Sequence, residues 1–221
     1  GIIITIGIYV LLAASLNLTT GVLGELVLGH AGFMSIGAYT AALFTLHMDL
    51  PALVEFPLAL LLGGALAAVF GVLIGIPALR LRGDYLAIVT LAFGEIIKEL
   101  INCLIIGYDE NGLHFIFNPA GNKTVDDLGL SASGTAIIKG AQGATGTATI
   151  ATFTAGFILV MITLIVVLNL TRSRAGRAIM AIRDNRIAAQ AIGLNLTKYK
   201  LLAFVTSAAL AGAAGALYGL N

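Results

Sequence analysis

The sequence has no tryptophan, a single cysteine, four prolines, and only 10% charged residues in a chain of 221. An ordinary soluble domain carries about a quarter charged residues. Too few polar residues remain here to cover the surface of a soluble fold of this length. Cys103 lies in an apolar block and has no second cysteine to pair with, so an internal disulfide is excluded and a small buried hydrophobe is expected. Without tryptophan, any interfacial aromatic belt must rely on tyrosine and phenylalanine. The net charge is +1, so bulk charge gives no reason to expect nucleic acid. The phosphate-cradling pattern G-x-x-x-x-G-K-[ST] is absent. No metal-ligand spacing and no Ser/His/Asp set on one face is found, so neither an enzyme nor a cofactor is expected. No basic region precedes the first apolar block, which argues against a signal peptide.

What is present is apolar residue in long blocks: 59% of the chain is hydrophobic and mean hydropathy is +1.02. A hydrocarbon core about 30 Å thick needs roughly 20 apolar residues per helix. Six blocks approach that length: 2–18, 22–46, 51–76 (ending at Pro77), 85–106, 150–170 and 201–220. The expected fold is an all-α, polytopic transmembrane bundle with about six spans, forming one domain over 1–221. The chain opens inside one apolar run without Met and stops after another, so truncation at both ends is expected.

Basic residues predict the topology. Nine of the twelve Lys and Arg fall in two loops: Arg80 and Arg82 after the third span, and Arg172, Arg174, Arg177, Arg183, Arg186, Lys198 and Lys200 after the fifth. Six spans put both loops on one side, and the positive-inside rule makes that side cytoplasmic. Residues 107–149, polar and rich in Gly, Ala and Thr, are then an external loop or insertion. Its acids Asp109, Glu110, Asp126 and Asp127 either contact a partner or are simply solvated.

Glycine makes up 27 residues. Gly71/Gly75 and Gly215/Gly219 have the GxxxG spacing that permits close helix packing, within the chain or between copies. Ionisable and polar residues inside spans are the candidates for function. Span two carries Glu25, His30, Ser35, Tyr39 and Thr40 among glycines able to interrupt the helix. Such interruptions expose backbone groups that can bind a zwitterion where they line a cavity. His30 lies roughly 12–13 Å into that span and is either a packed hydrogen-bonding residue or a route contact. Asn17 either caps span one or lines a route. Glu95, about 15 Å into span four, is an i,i+3 neighbour of Lys98. The two form a structural ion pair, or Glu95 faces a route or gate. Asn17, His30, Tyr39 and Glu95 are the candidate translocation-route residues.

Within 171–200, apolar Ala178, Ile179, Ile182, Ile187, Ala188, Ala191 and Ile192 recur near helical spacing, and Gly193 before Asn195 signals a helix stop. One or two short amphipathic helices, or a basic loop that only sets topology, fit this pattern. Three stretches carry a resemblance. The first is Arg177-Ala178, Ala181-Ile182-Arg183-Asp184 and Ile187-Ala188-Ala189-x-Ala191-x-Gly193, followed by Lys200-Leu201-Leu202-Ala203-Phe204. The second is Leu79-Arg80-Leu81-Arg82-Gly83-Asp84-Tyr85-Leu86 with Phe93-Gly94-Glu95. The third is Leu16-Asn17-Leu18 with Gly21, then Leu28-Gly29-His30-Ala31-Gly32-Phe33 and Ile36-Gly37-Ala38-Tyr39. In this order they resemble the branched-chain amino-acid ABC transporter permeases of the M-type (LivM-like) kind.

The resemblance implies a permease subunit of an ATP-driven importer for Leu, Ile, Val and related amino acids, working by alternating access. It implies a second permease subunit, two ATPase subunits and an extracytoplasmic amino-acid-binding protein, in a bacterial or archaeal cytoplasmic membrane. ATP hydrolysis belongs to a separate chain, and 171–200 is the coupling loop. Arg183 and Asp184 are its charged contacts, and Ala188, Ala189 and Gly193 its sites of close approach. The general importer signature has Glu where Ile187 stands, with Gly193 in the expected place. The alternatives are an ABC permease for urea or short amides, and an ion-coupled secondary transporter.

Overall fold

A computed structural model describes residues 2–47, 51–81, 83–109, 112–119, 135–139 and 151–221. The expected acids Glu110, Asp126 and Asp127 and the Gly-rich run 140–146 lie outside these residues. Helices stand at all six expected positions: α1 (Ile2–Asn17), α2 (His30–His47), α3 (Ala52–Ala78), α4 (Asp84–Asn102), α5 (Phe153–Arg172) and α8 (Leu196–Gly219). Two short helices, α6 (Arg174–Asp184) and α7 (Arg186–Ala191), lie between α5 and α8. Four stretches are long and apolar enough to cross a membrane: Ile2–Leu23, Val54–Ala78, Phe153–Arg172 and Leu196–Gly219. The other two, α2 and α4, carry polar groups, among them His30 and Tyr39 on α2 and Glu95, Lys98 and Glu99 on α4.

α8 is the hub, packed most extensively on α3 and α2. Its contact face is made of small residues, among them Ala208, Ala211, Gly212 and Gly215, all buried. A lipid-embedded bundle gains little by hiding large apolar side chains from lipid tails, so close backbone approach supplies the attraction. A Cβ added to Gly215 would overlap the Met34 carbonyl of α2. Both GxxxG motifs pack within the chain: Gly71 and Gly75 meet Ala208 and Leu201 of α8, and Gly219 meets the Ala38 backbone. Large residues fill the remaining core, with Phe204, Phe33, Ile74 and Leu86 in one cluster and Ile8, Leu11 and Leu217 in another.

The contacts fix the helix directions. α3 runs antiparallel to α8, since Gly63 meets Ala216 whereas Gly75 meets Phe204. α2 runs parallel to α8, with Met34 beside Gly215 and Ala38 beside Gly219. α1 is antiparallel to α8: Ser207 Oγ donates to the Ser15 carbonyl at 2.6 Å, while Ile8 packs near Leu217. The C-terminus of α3 and the segment α6–α7 therefore lie at the same end of the bundle, which brings the two basic loops together as the charge pattern requires.

Three expectations need correction. The second span does not begin at Val22. α1 passes into a π-helix (Leu18–Leu23), the chain continues non-helically through residues 24–29, and α2 starts at His30. Gly24 makes the break with φ 77°, a left-handed conformation that favours glycine. The Glu25 N–H closes the turn on the Thr19 carbonyl at 3.1 Å. The fourth span stops at Asn102 rather than 106, because residues 104–109 join a sheet. Finally, 107–149 is not all loop. β1 (Leu104–Asp109) pairs antiparallel with β2 (Gly112–Phe117) and with β3 (Thr135–Lys139), in the order β2-β1-β3. This small sheet caps the end of α4 opposite the basic end.

Candidate functional site

The basic end is built by helix caps. Ser173 Oγ accepts the Gly176 N–H at 3.1 Å and starts α6. Asn185 Oδ1 accepts the Ala188 N–H at 3.0 Å and starts α7. Asn195 Oδ1 accepts the Lys198 N–H at 3.1 Å and starts α8. Such caps each contribute about 1 kcal/mol by satisfying otherwise orphaned donors. Between the last two, Gly193 (φ 84°) closes α7. Its N–H donates to the Gln190 carbonyl at 2.9 Å, and the Leu194 N–H reaches Ala189 at 3.0 Å, the paired bonds of a Schellman stop.

These caps sort the side chains onto two sides. Ala178, Ile179 and Ile182 of α6 are buried in the helical spacing expected of an inward face. Ile187 is 81% and Ile192 77% exposed, flanking exposed Ala188 and the open Gly193, around which an added Cβ meets nothing. Ala189, expected to be offered to a partner, is instead buried against its own chain because α7 turns that face inward. Arg183 also turns partly inward: Nη1 donates to the Gly21 carbonyl at 3.0 Å, while Nε meets exposed Asp184 at 3.1 Å. Sequence spacing marked the helices but did not identify Ile187, and Ile192 at the end of α7, as the most exposed large apolar residues of this segment.

Directly above α7 lies a charge cluster. Glu25, in the break between α1 and α2, is buried and ion-paired with buried Lys200 of α8. Arg186 Nη2 of α7 stands 3.6 Å from the same carboxylate oxygen, Oε1. Oε2 is buried without a hydrogen-bond partner among the described residues. A pair this buried is sustained only by its own geometry. The sequence signal was available, since an acid and a base each sit at the edge of an apolar run, but 175 residues of separation hid the pairing.

The four route candidates occupy separate places among the described residues. His30 is buried, with Nε2 2.8 Å from Ser15 Oγ and its ring edge-on to Phe33, so it is a packed, hydrogen-bonded residue joining α2 to α1. Asn17 is exposed where α1 meets the π-helix, and its side chain covers Gly21. Tyr39 is half-buried on α2. Glu95 is exposed on α4 and pairs with Lys98 at 3.0 Å. It lines an open groove of about 350 Å³ with Ile96, Glu99, Leu100, Cys103 and Phe117. Cys103 is thus half-buried at the groove rather than deep in the core. At the centre, Gly29, Phe33, Thr90, Phe93, Gly94 and Phe204 pack with no room for a water molecule.

Comparison with known proteins supplies the family. The profile described as branched-chain amino acid transport system / permease component matches residues 1–221. The chain is 40% identical over 220 residues to the high-affinity branched-chain amino acid transport system permease protein LivM of Salmonella typhimurium, covering 96% of this chain and 50% of that protein. It is 39% identical over 218 residues to the LivM protein of Escherichia coli, with the same coverage. The chain thus spans about half the length of the curated relatives it matches. No solved structure matches it. With four helices suited to crossing a bilayer and a profile match along its whole length, this chain is an integral membrane protein belonging to the branched-chain amino acid transport permease family.

Proposed function

We propose that residues 1–221 form part of a single membrane-spanning permease domain of an ATP-driven importer of branched-chain amino acids, with the basic end in the cytoplasm. The observation that carries this reading is the capped α6–α7 pair, which presents Ile187 and Ile192 outward beside an open Gly193. Exposed isoleucines on a short amphipathic helix suit the groove of a partner protein. With no phosphate loop in this chain, that partner is an ATPase, one on each of two permease subunits. Arg183 and Asp184 sit at the edge of this surface, Ala188 and Gly193 permit close approach, and Ala189 anchors α7 from within.

The closely packed bundle interior leaves the translocation route to form at its surface, along α4, against the second permease subunit. Glu95 lines it on this reading, and Asn17 and Tyr39 lie on its approaches. His30 holds α1 and α2 together behind it. The small sheet is external and faces the extracytoplasmic binding protein. The bacterial relatives favour the cytoplasmic membrane as its location.

The test is co-purification of the full-length protein from its native membrane in mild detergent. Wild type is expected to bring an ATPase with it, and Ile187→Glu/Ile192→Glu to lose it while keeping its helical content. Uptake of labelled leucine, competed by isoleucine and valine and not by urea or acetamide, is expected of the assembled complex. An ATPase retained by the double variant would remove the coupling surface from this reading. Uptake competed by urea would replace the substrate.

A further inference from the structure

The backbone between α1 and α2 is the described place where the bundle is neither continuous helix nor a loop free of the core. Residues 24–29 form a strap tied at both ends. At its start, Arg183 of α6 donates to the Gly21 carbonyl at 3.0 Å and lies against Gly24, where an added Cβ would meet Arg183 Cγ at 2.6 Å. At its end, the Leu28 N–H donates to Thr90 Oγ1 of α4 at 3.2 Å. There Gly29 lies so close to Thr90 that a Cβ would overlap its carbonyl. Glu25 sits between, joined to Lys200 of α8.

The carboxylate of Glu25 is only half used. Lys200 holds Oε1, Oε2 has no hydrogen bond among the described residues, and Arg186 stops at 3.6 Å from Oε1, beyond hydrogen-bonding range. An unpaired buried acceptor is costly, so this arrangement favours any small shift of α7 that brings Arg186 onto Oε2. Arg186 immediately precedes Ile187, the exposed residue of the proposed docking surface. Movement of that surface therefore bears directly on Glu25, since Arg186 of α7 faces its carboxylate.

We propose that Glu25 is a positioning residue for transport. It ties α7 and α8 to the strap, so that displacement of the coupling helices is passed through residues 24–29 to Thr90 and the charged face of α4. This inference rests on the importer reading. It assigns to Glu25, Arg186 and Lys200 the task of linking ATP hydrolysis to opening of the route.

The test uses the full-length permease with its co-purified partners in liposomes, measuring labelled-leucine uptake and ATP hydrolysis together. Glu25→Gln alone leaves Lys200 buried and unpaired, so a loss there would also follow from misfolding. The Glu25→Gln/Lys200→Met double variant removes both charges, a change that is often neutral for stability. It is expected to fold, to keep its ATPase and to hydrolyse ATP, while leucine imported per ATP falls about tenfold, within the usual span of coupling energies. Lys200→Arg is expected to retain wild-type coupling. A folded double variant that imports as much leucine per ATP as wild type would overturn the proposal and leave the importer reading intact. A wild-type complex without ATPase or leucine uptake would overturn both.

Discussion

Phe204 offers a direct test of what holds the bundle together. Its side chain is 1% exposed. It meets Phe33 of α2 edge-on at 5.6 Å and 82°, and it lies against Gly75 of α3, where a Cβ would come within 3.1 Å of its ring. In water, truncating such a residue forfeits transfer energy as well as packing. In lipid the transfer component nearly vanishes, because the separated helix leaves the ring in surroundings just as apolar. The cavity remains: on the order of 100 Å³ at about 24 cal/mol per Å³ gives about 2.4 kcal/mol. The lost ring pair adds about 1 kcal/mol. Phe204→Ala is therefore expected to destabilise by about 3 kcal/mol, and Phe204→Leu by about 1. The control is Leu202→Ala on the same helix, 41% exposed, expected to lose under about 0.5 kcal/mol. Titration of the full-length protein with a denaturing detergent in mixed micelles, followed by circular dichroism, reads these differences. Equal losses for Phe204→Ala and Leu202→Ala would refute the assignment of α8 as the packed hub.

Two further expectations are checked by the same titration. Ser15→Ala removes the partner of His30 Nε2 and is expected to destabilise by about 1–3 kcal/mol, since the buried imidazole nitrogen is left unsatisfied; no measurable loss would mean that the residue finds another partner. Gly24→Ala and Gly193→Ala both force alanine into positive φ, at about 1 kcal/mol each. Gly24→Ala must also displace Arg183, whereas the space around Gly193 is open, so Gly24→Ala is expected to lose the more; equal losses would mean that Arg183 does not hold the strap.

How far the sequence could be read depended on which force shaped each region. α1, α3, α5 and α8 follow from length and apolar content alone, because a bilayer imposes both. The caps at Ser173, Asn185 and Asn195 and the stop at Gly193 are local, so the helical pattern of 171–200 was legible before the fold. The sheet was missed because Leu104-Ile105-Ile106 continues the apolar character of α4, and an apolar run does not by itself separate helix from strand. A signal was present, however: Asn111-Gly112 between two runs rich in β-branched and aromatic residues is a hairpin pattern, and β1 and β2 pair antiparallel with Asp109 opposite Gly112. The start of α2 was misplaced for a different reason. The glycine density of 21–37 announced an interruption, but its position is set by Glu25 reaching Lys200 and by Gly29 meeting Thr90, contacts that span 175 and 61 positions. Nor could the inward turn of Ala189 be read from spacing, since it depends on how α7 lies against the bundle.

The composition of the core limits how such a bundle can move. Where α8 meets α2 and α3, backbones are in contact through glycine and alanine. The larger side chains at this seam, Phe33, Ile74 and Phe204, are buried, and the space among Gly29, Phe33, Thr90 and Phe204 has no room for water. Packing of this kind resists gradual deformation and favours displacement of whole helices as rigid bodies. Sliding of α2 along α8 would carry the Met34 carbonyl off Gly215 and onto residues that have a Cβ, so α2, α3 and α8 are expected to travel as one unit. A change of access then has to be taken up where the backbone departs from regular helix, and among the described residues the π-helix and strap of 18–29 do so in contact with Arg183 and Arg186 of the coupling helices. A bundle stiffened by small residues and interrupted at its charged end confines the motion of the proposed transport cycle to that interruption and to the α4 face beyond it.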